Sequence, residues 1–319
     1  MSGLAISIIN YKTGDMTIAA AQSALDALGD REALVVVVDN ASGDGSAEQI
    51  EAWMAETGDP RLKLVKSETN SGFSGGHNQG MGAAPAADFY LILNSDALLR
   101  PGFFEPLLAA ADAHPKVGLF APQLEWDDGE VQQSCFRFQG VASELIRGAQ
   151  SGPVTKVLKR HVVALDLPPD PAEIEWASFA CILVRGDMAR AIGPMDEGYF
   201  LYYEDSEYAL RATRAGWGVH HVPEARAVHF RGGSGPVKEM AKAKKRMPAY
   251  YWRSRTRYLR QACGPFGPVL GNLAWMAGRG VAQLRRLAGK SVPQSNTAEW
   301  RDIWTNIFTP LKPAPETRK

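Results

Sequence analysis

The sequence predicts an α/β protein with a mostly parallel central sheet flanked by helices on both faces. Three observations carry this. Short β-branched runs alternate with longer amphipathic stretches, the runs are apolar at successive positions rather than alternate ones, and they end on polar residues. Strands apolar on both faces belong between two helix layers. Ligands of such sheets gather at the carboxyl ends of the strands.

The elements follow in order. Residues 4–9 read as a buried strand and 10–14 as the turn after it. A helix is expected over 15–28, a second strand over 33–38 ending at Asp39, a helix over 45–57 and a third strand over 62–65. A fourth strand, 89–93, ends at Asn94-Ser95-Asp96. Asn10, Asp39 and Asp96 thus fall at strand ends. The middle is less regular: a strand over 131–138, a Pro-rich loop or flap over 151–171, and a strand over 176–184. A helix over 204–215 stops at Gly216, and two short strands follow at 217–222 and 225–230. Residues 237–261 read as one basic helix, 269–287 as an apolar segment with Arg at intervals, and the tail from Pro310 as frayed.

Composition narrows the function classes. The chain has 319 residues, 35 Lys+Arg and 35 Asp+Glu, with 45% apolar and 22% charged residues. Wholesale disorder is excluded, and one large domain or two ordinary ones is expected. Cys135, Cys181 and Cys263 are too few and scattered for a disulfide framework or a zinc cluster, which fits a reducing, cytosolic setting. No signal peptide and no membrane-spanning run is expected. The zero net charge hides an asymmetry. Residues 231–290 carry 14 Lys+Arg against the single acid Glu239, and the remainder is correspondingly acidic.

Five constellations could carry chemistry. In Asp39-Asn40-Ala41-Ser42, a carboxylate at a buried strand end can accept the imide N–H of uracil or thymine, or else cap the next helix. In Asn70-Ser71-Gly72-Phe73-Ser74-Gly75-Gly76-His77-Asn78-Gln79-Gly80, glycines permit close approach of backbone to a ligand, or simply turn into a helix. Asn94-Ser95-Asp96 offers a carboxylate for a divalent ion bridging a diphosphate, or a turn. Glu204-Asp205-Ser206-Glu207 follows the aromatic run 199–203. Aromatic walls raise a carboxyl pKa towards general-base use, whereas a helix N-terminus favours ionisation. The plain alternative is an acidic first turn paired with Arg211. His229, in Val228-His229-Phe230-Arg231-Gly232-Gly233-Ser234, is a structural histidine or a metal ligand.

Taken together and in this order, these segments resemble a family 2 glycosyltransferase of the GT-A fold, on the rhamnosyltransferase-like branch that builds bacterial surface polysaccharides. The matching positions run from Ile9-Asn10-Tyr11 through Asp39-Asn40-Ala41-Ser42, Asn70, Gly72, Gly75, Asn78 and Asn94-Ser95-Asp96 to Glu204-Asp205, Glu207, Gly216-Trp217 and His229. The resemblance implies a Rossmann-like catalytic domain over 1–235 and a helical extension over 236–319. It implies an inverting transfer of a sugar, with rhamnose a candidate, from a nucleotide diphosphate donor, UDP- or dTDP-linked donors being favoured. Asp205 matches the family's catalytic base. Asp96, with His229 as second ligand, would hold Mg²⁺ or Mn²⁺. Ile9, Asn10, Tyr11, Asp39, Asn70, Gly72, Gly75, Asn78, Asn94 and Ser95 would bind the donor. Trp176, Glu204 and Glu207 would stand on the acceptor side. Two departures matter: only one carboxylate is present in the metal motif, and Phe179 stands where the family usually has glycine.

The basic segment 238–260 interleaves Lys and Arg with Met240, Met247, Tyr250, Tyr251, Trp252, Tyr258 and Leu259. Such a mixture suits the cytoplasmic face of an anionic membrane, where a polyprenyl-linked acceptor would be found, or a helix packed on the catalytic domain. No nucleic-acid motif accompanies it. Two rival functions are weighed: a catalytically silent, membrane-docked assembly subunit, against which stand the retained Asp39, Asp96, Asp205 and His229, and a nucleotidyltransferase, for which the Gly-rich triphosphate loop is missing.

Overall fold

The computed structural model describes residues 3–230 and 237–312. The first half alternates as expected: β1 (Leu4–Asn10), α1 (Gly14–Leu28), β2 (Leu34–Asp39), α2 (Ser46–Thr57), β3 (Leu62–Lys66), α3 (Gly72–Gly82) and β4 (Phe89–Asn94). Then come β5 (Ala97–Leu99), α4 (Phe104–Ala113), β6 (Val117–Glu125), β7 (Cys135–Phe136), α5 (Val141–Ala149), α6 (Gly152–Val157), β8 (Trp176–Ala177), β9 (Cys181–Arg185) and α7 (Gly186–Ile192). The chain continues through α8 (Glu204–Arg214), β10 (Gly218–His229), α9 (Val237–Lys242), α10 (Ala249–Cys263), α11 (Gly267–Leu287) and α12 (Glu299–Asp302).

Eight strands form one sheet in the order β3-β2-β1-β4-β9-β6-β10-β5. β1, β2, β3 and β4 are mutually parallel, as is the β6–β10 pair, while β9 and β5 run antiparallel to their neighbours. The sheet is therefore mixed in its second half. The period of two explains the all-apolar strands. Ile6, Ile8, Val35, Val37, Leu91 and Leu93 face one core, and Ala5, Tyr90, Ile92, Ile182 and Val184 face the other. Register sets Asn10 beside Asp39 and Ile9 beside Asn94, so the polar strand ends share one edge.

Several expectations are corrected. The strand expected over 131–138 shrinks to β7, because the Gln132 side chain turns inward to donate to the backbone oxygens of Glu125 and His229. The strand expected over 176–184 is two: β8 pairs with β7, the chain crosses at 178–180, and β9 joins β4. The two strands expected around Pro223 are one, β10, bulged between Val222 and Arg226. The 151–171 loop contains α6 and one short 3-10 turn, Lys159–His161, and a second, Pro171–Glu173, begins at its end. The single helix expected over 237–261 is broken into α9 and α10, and β6, α5 and α7 carried no sequence signal strong enough to be read.

The C-terminal helices pack on the rest of the chain. α11 lies against α5 so closely that Gly148 and Gly278 have no room for a Cβ, which would meet opposing backbone oxygens at 2.2 and 2.4 Å. Between them lies a buried ionic network. Arg255 Nε donates to Glu144 at 2.9 Å, Arg147 bonds Glu144 at 2.7 Å and also pairs with Glu299, and Arg255 reaches Asn272 at 2.8 Å. Burial pushes the Glu144 carboxyl up, but Arg147 and Arg255 overrule it and hold it at about 2. Of the apolar and aromatic residues for which lipid contact or packing on the catalytic domain was expected, Met247, Trp252, Tyr258 and Leu259 are buried, and Met240, Tyr250 and Tyr251 are half-buried. Removing Glu144 leaves the buried Arg255 guanidinium without a counter-charge, while Arg147 keeps Glu299. E144A is expected to lose about 3–5 kcal/mol in urea denaturation, with α5 and α11 released together.

Candidate active site

A cleft of about 460 Å³ opens at the carboxyl edge of the sheet. That size suits a nucleotide-sized ligand. Its walls bring together Ile9, Tyr11, Asn70, Gly72, Asn94, Ser95, Asp96, Glu204, Asp205 and His229 from the sequence candidates.

Asp96 and His229 meet because β5 pairs antiparallel with β10, setting His229 opposite Ala97. The Phe230 N–H donates to the Asp96 backbone oxygen at 2.9 Å, and the His229 Nε2 lies 3.5 Å from Asp96 Oδ1. Both side chains are buried, and His229 Nδ1 has no hydrogen-bond partner among the described residues. Arg231-Gly232-Gly233-Ser234 lies outside the described residues. Among those residues no cluster of three or more His, Cys, Asp or Glu forms a closed metal cage. One carboxylate and one imidazole at a diphosphate-sized cleft still fit Mg²⁺ or Mn²⁺, since substrate phosphates and waters complete such sites.

Glu204 and Asp205 open α8, whose N-cap is Tyr203. Tyr202 and Tyr203 both adopt left-handed backbone, with φ of +73° and +72°. Non-glycine residues pay about 1–3 kcal/mol each for this, so surrounding contacts must impose it. On one side Phe73 N–H donates to the Phe200 oxygen at 2.9 Å. Gly72 packs against Phe200 so tightly that a Cβ would lie 2.2 Å from that oxygen, and its own φ is +71°. On the other side α10 supplies a row of contacts. Ser254 Oγ donates to the Leu201 oxygen at 3.1 Å, Tyr202 stacks parallel to Tyr250, and Tyr203 packs on Tyr251 and Tyr258.

This turn buries Glu204 and half-buries Asp205. Burial raises Asp205 to about 6, against backbone N–H groups of Ser206, Asp205 and Phe179 that favour its charge. Burial raises Glu204 well above the carboxylate range, and the adjacent Asp205 charge adds to it. Desolvation thus outweighs the helix N-terminus at this site. Glu204 Oε2 is buried without a hydrogen-bond partner among the described residues. Of the two, Glu204 is pushed harder towards the neutral form, which leaves Asp205 as the weakly basic member of the pair.

Six candidates do not line the cleft. Asn10 is buried and saturated: Nδ2 donates to Asp39 at 2.7 Å, Ser42 at 3.1 Å and Ser46 at 2.8 Å, while Oδ1 accepts from Thr13 and Thr17. Asp39 is held by Asn10 and by the Ser42 N–H at 3.3 Å. Asn78 bonds Met195 and Glu197, and Gly75 sits under Ser71. Trp176 donates to the Arg137 oxygen at 2.9 Å and stacks on Phe136, and Glu207 pairs with Arg211 at 2.7 Å. Glu207 therefore follows the plain acidic-turn reading.

The cleft also holds residues the sequence reading did not select: Thr13, Asn40, Phe73, His77, Ser178, Ala180, Phe200, Leu201, Tyr202 and Tyr250. Asn40 knits the nucleotide side together, donating to Asn70 Oδ1 at 3.1 Å and the Gly72 oxygen at 2.9 Å while accepting from Ser71 N–H. His77 is fully buried beside Ser7, 2.8 Å from Nδ1 to Oγ, and burial pushes it down to about 3, so it is neutral. Both lay inside quoted motifs and were findable there. Tyr250 lies on α10 and had no local signal. Phe179 lines the wall and packs edge-on against Tyr208.

Comparison with known proteins gives this cleft its context. Residues 6–139 match the family described as Glycosyl transferase family 2. Over 230 residues, 66% of this chain and 72% of the relative, the chain is 28% identical to the N-acetylglucosaminyl-diphospho-decaprenol L-rhamnosyltransferase of Mycobacterium tuberculosis. The mannosyltransferase PcManGT from Pyrobaculum calidifontis, solved with GDP-Man and Mn²⁺, superposes with TM-score 0.56 at 16% identity, covering 97% of this chain and 84% of that one. TarS 1–349 of S. aureus, solved with UDP, gives 0.54 at 13% identity over 91% and 93%. Residues 6–139 thus carry a family 2 glycosyltransferase domain, and the chain has a GT-A-like α/β fold.

The clamp on the 199–203 turn makes Gly72 its most sensitive point. G72A should lower stability by roughly 2–4 kcal/mol, combining left-handed strain with the backbone clash. Thermal unfolding of the purified variant checks this.

Proposed function

We propose that this family 2 glycosyltransferase moves a sugar from a nucleoside diphosphate donor to a glycan or polyprenyl-linked acceptor, with Asp205 as the general base and inversion at the anomeric carbon. The observation that carries the reading is the placement of Asp205: half-buried in the cleft wall, raised to about 6, and sharing that cleft with Asp96 and His229. A base with a pKa just below neutral is ionised in the cell yet basic enough to receive a proton.

Asp205 takes the proton of an acceptor hydroxyl as that oxygen attacks the anomeric carbon. The bond from this carbon to the diphosphate oxygen breaks on the opposite face, and the nucleoside diphosphate leaves. One displacement suffices, so no carboxylate nucleophile is needed. In its neutral form Glu204 can donate a hydrogen bond to an acceptor oxygen. Asp96 and His229 would hold Mg²⁺ or Mn²⁺, which when bound offsets the charge developing on the leaving diphosphate. Tyr11, Asn40 and Asn70 are read as walls of the nucleoside pocket. Asp39 acts on it through Asn10, whose Oδ1 fixes the 11–13 turn.

UDP or dTDP is favoured as the carrier, and rhamnose is the candidate sugar. The mycobacterial relative is named for a decaprenyl diphosphate acceptor, and a lipid-linked acceptor at the cytoplasmic face of a membrane is the reading adopted here. In this reading residues 1–235 form the catalytic domain and 236–319 its extension.

Two tests follow. Calorimetry with a panel of nucleoside diphosphates should find one bound with Mn²⁺ present, and D96A should lose the metal-dependent part of that binding. Equal binding by D96A would remove Asp96 from the metal site. D205N should lower transfer by about 10²–10⁴-fold at unchanged nucleotide affinity. Its stability should move the other way. Because the folded pKa of Asp205 is raised from 3.8 to about 6, its contribution to native stability is fully present below about 3.8 and is lost as pH rises through about 6. At pH near 8, D205N should therefore gain roughly 1–3 kcal/mol in urea denaturation.

A further inference from the structure

We propose that the outer face of α11 is a membrane-docking surface that lies in the interfacial layer of an anionic lipid bilayer. α11 buries Gly271, Asn272, Trp275, Gly278 and Ala282 against the protein. On the opposite arc, Val269, Leu270, Leu273, Met276, Leu284 and Leu287 project outward at successive intervals of one, three, three, eight and three residues, from 37% exposed at Val269 to 85% at Leu287. Only small or apolar side chains fall between them on that arc. At 100° per residue Arg279, Arg285 and Arg286 all lie outside it. A monomeric protein rarely shows so continuous an apolar stripe to water.

Charge selects the occupant. No acidic residue occurs anywhere from 240 to 298, whereas Arg279, Arg285, Arg286 and Lys290 lie on or just beyond α11. A second copy of the chain seated symmetrically on this face would bring like charges together, whereas anionic headgroups would neutralise them. The border of the stripe also holds a receptive site. Arg279 and Arg286 line a cavity of about 240 Å³ with Gln283, Gln294 and Ser295. This places phosphate-binding side chains at headgroup depth beside leucines at acyl depth. α11 is amphipathic and lies on the surface, and among the described residues no helix is long and apolar enough to cross a membrane.

The placement has a consequence for the cleft. α11 packs on α10, and α10 contributes Tyr250 to the cleft wall. A lipid-linked acceptor would then reach Asp205 from the surface on which the enzyme rests. The inference deepens the lipid-linked acceptor reading but is tested without donor or acceptor, so its failure and that of the transfer assay are separate results.

The experiment is sedimentation of the full chain with vesicles of phosphatidylcholine alone and of phosphatidylcholine mixed with phosphatidylglycerol. Binding is expected to the mixed vesicles, weakened by salt. L273E and L284E, both at exposed positions, should each weaken it by about tenfold or more. R286E should weaken binding to the mixed vesicles while leaving the fold intact, as circular dichroism would show. Absence of binding to either vesicle would overturn the proposal. So would binding indifferent to L273E and L284E, and so would a dimer in solution that those substitutions dissolve while vesicles remain unbound.

Discussion

Tyr202 and Tyr203 sit in a backbone conformation that neither would choose, and the active-site geometry depends on holding them there. The turn they make aims the first two residues of α8 into the cleft instead of along the protein surface. Nothing local enforces it. Gly72 and Phe73 press on Phe200 from the start of α3, and Ser254, Tyr250, Tyr251 and Tyr258 press from α10. Strain of this kind persists only when the surroundings over-determine it. Here the surroundings come from two segments far apart in sequence, one rich in glycine and one in tyrosine.

The same enclosure sets the electrostatics. Two adjacent carboxyls at a helix N-terminus would ordinarily be ionised, since the helix end is electropositive. Enclosed by Phe179, Phe200, Leu201 and Tyr202, they lose more from desolvation than the helix returns. Asp205 keeps three backbone N–H groups and remains a base near neutrality. Glu204 has only its own backbone N–H in support, and burial with the Asp205 charge pushes it further towards the neutral form. The buried Glu144–Arg147–Arg255 network anchors α10 through Arg255, so an ionic cluster in the C-terminal packing has a mechanical link to the proposed base, Asp205.

Much of the fold was legible because the strands are buried on both faces and therefore apolar at every position. Asn10, Asp39 and Asp96 were rightly expected at strand ends, yet only Asp96 faces the cleft. A polar residue at a strand end can bind a ligand or be consumed by the turn beside it, and Asn10 and Asp39 spend their hydrogen bonds on one another and on Ser42, Ser46 and Thr13. α3 was hard to read as a helix because glycine disfavours one. Its glycines exist for packing, since a Cβ at Gly80 would lie 2.0 Å from Ser7 Oγ. Tyr250 could not be found at all, because a half-buried tyrosine on an amphipathic helix looks the same whether it meets lipid, core or substrate. The tyrosines of α10 were read towards lipid for that reason, whereas tertiary packing turned them inward and left the leucines of α11 outside.

The central claim is that this enclosure, and not the identity of Asp205 alone, makes it a base. Carbon-detected NMR titration of the Asp205 carboxyl in the native protein tests it most directly, with D205N supplying the resonance assignment. A midpoint near 6 is the result the structure predicts. A carboxyl titrating at the ordinary aspartate value of 3.8 would mean that the turn leaves it solvated, and would contradict the account.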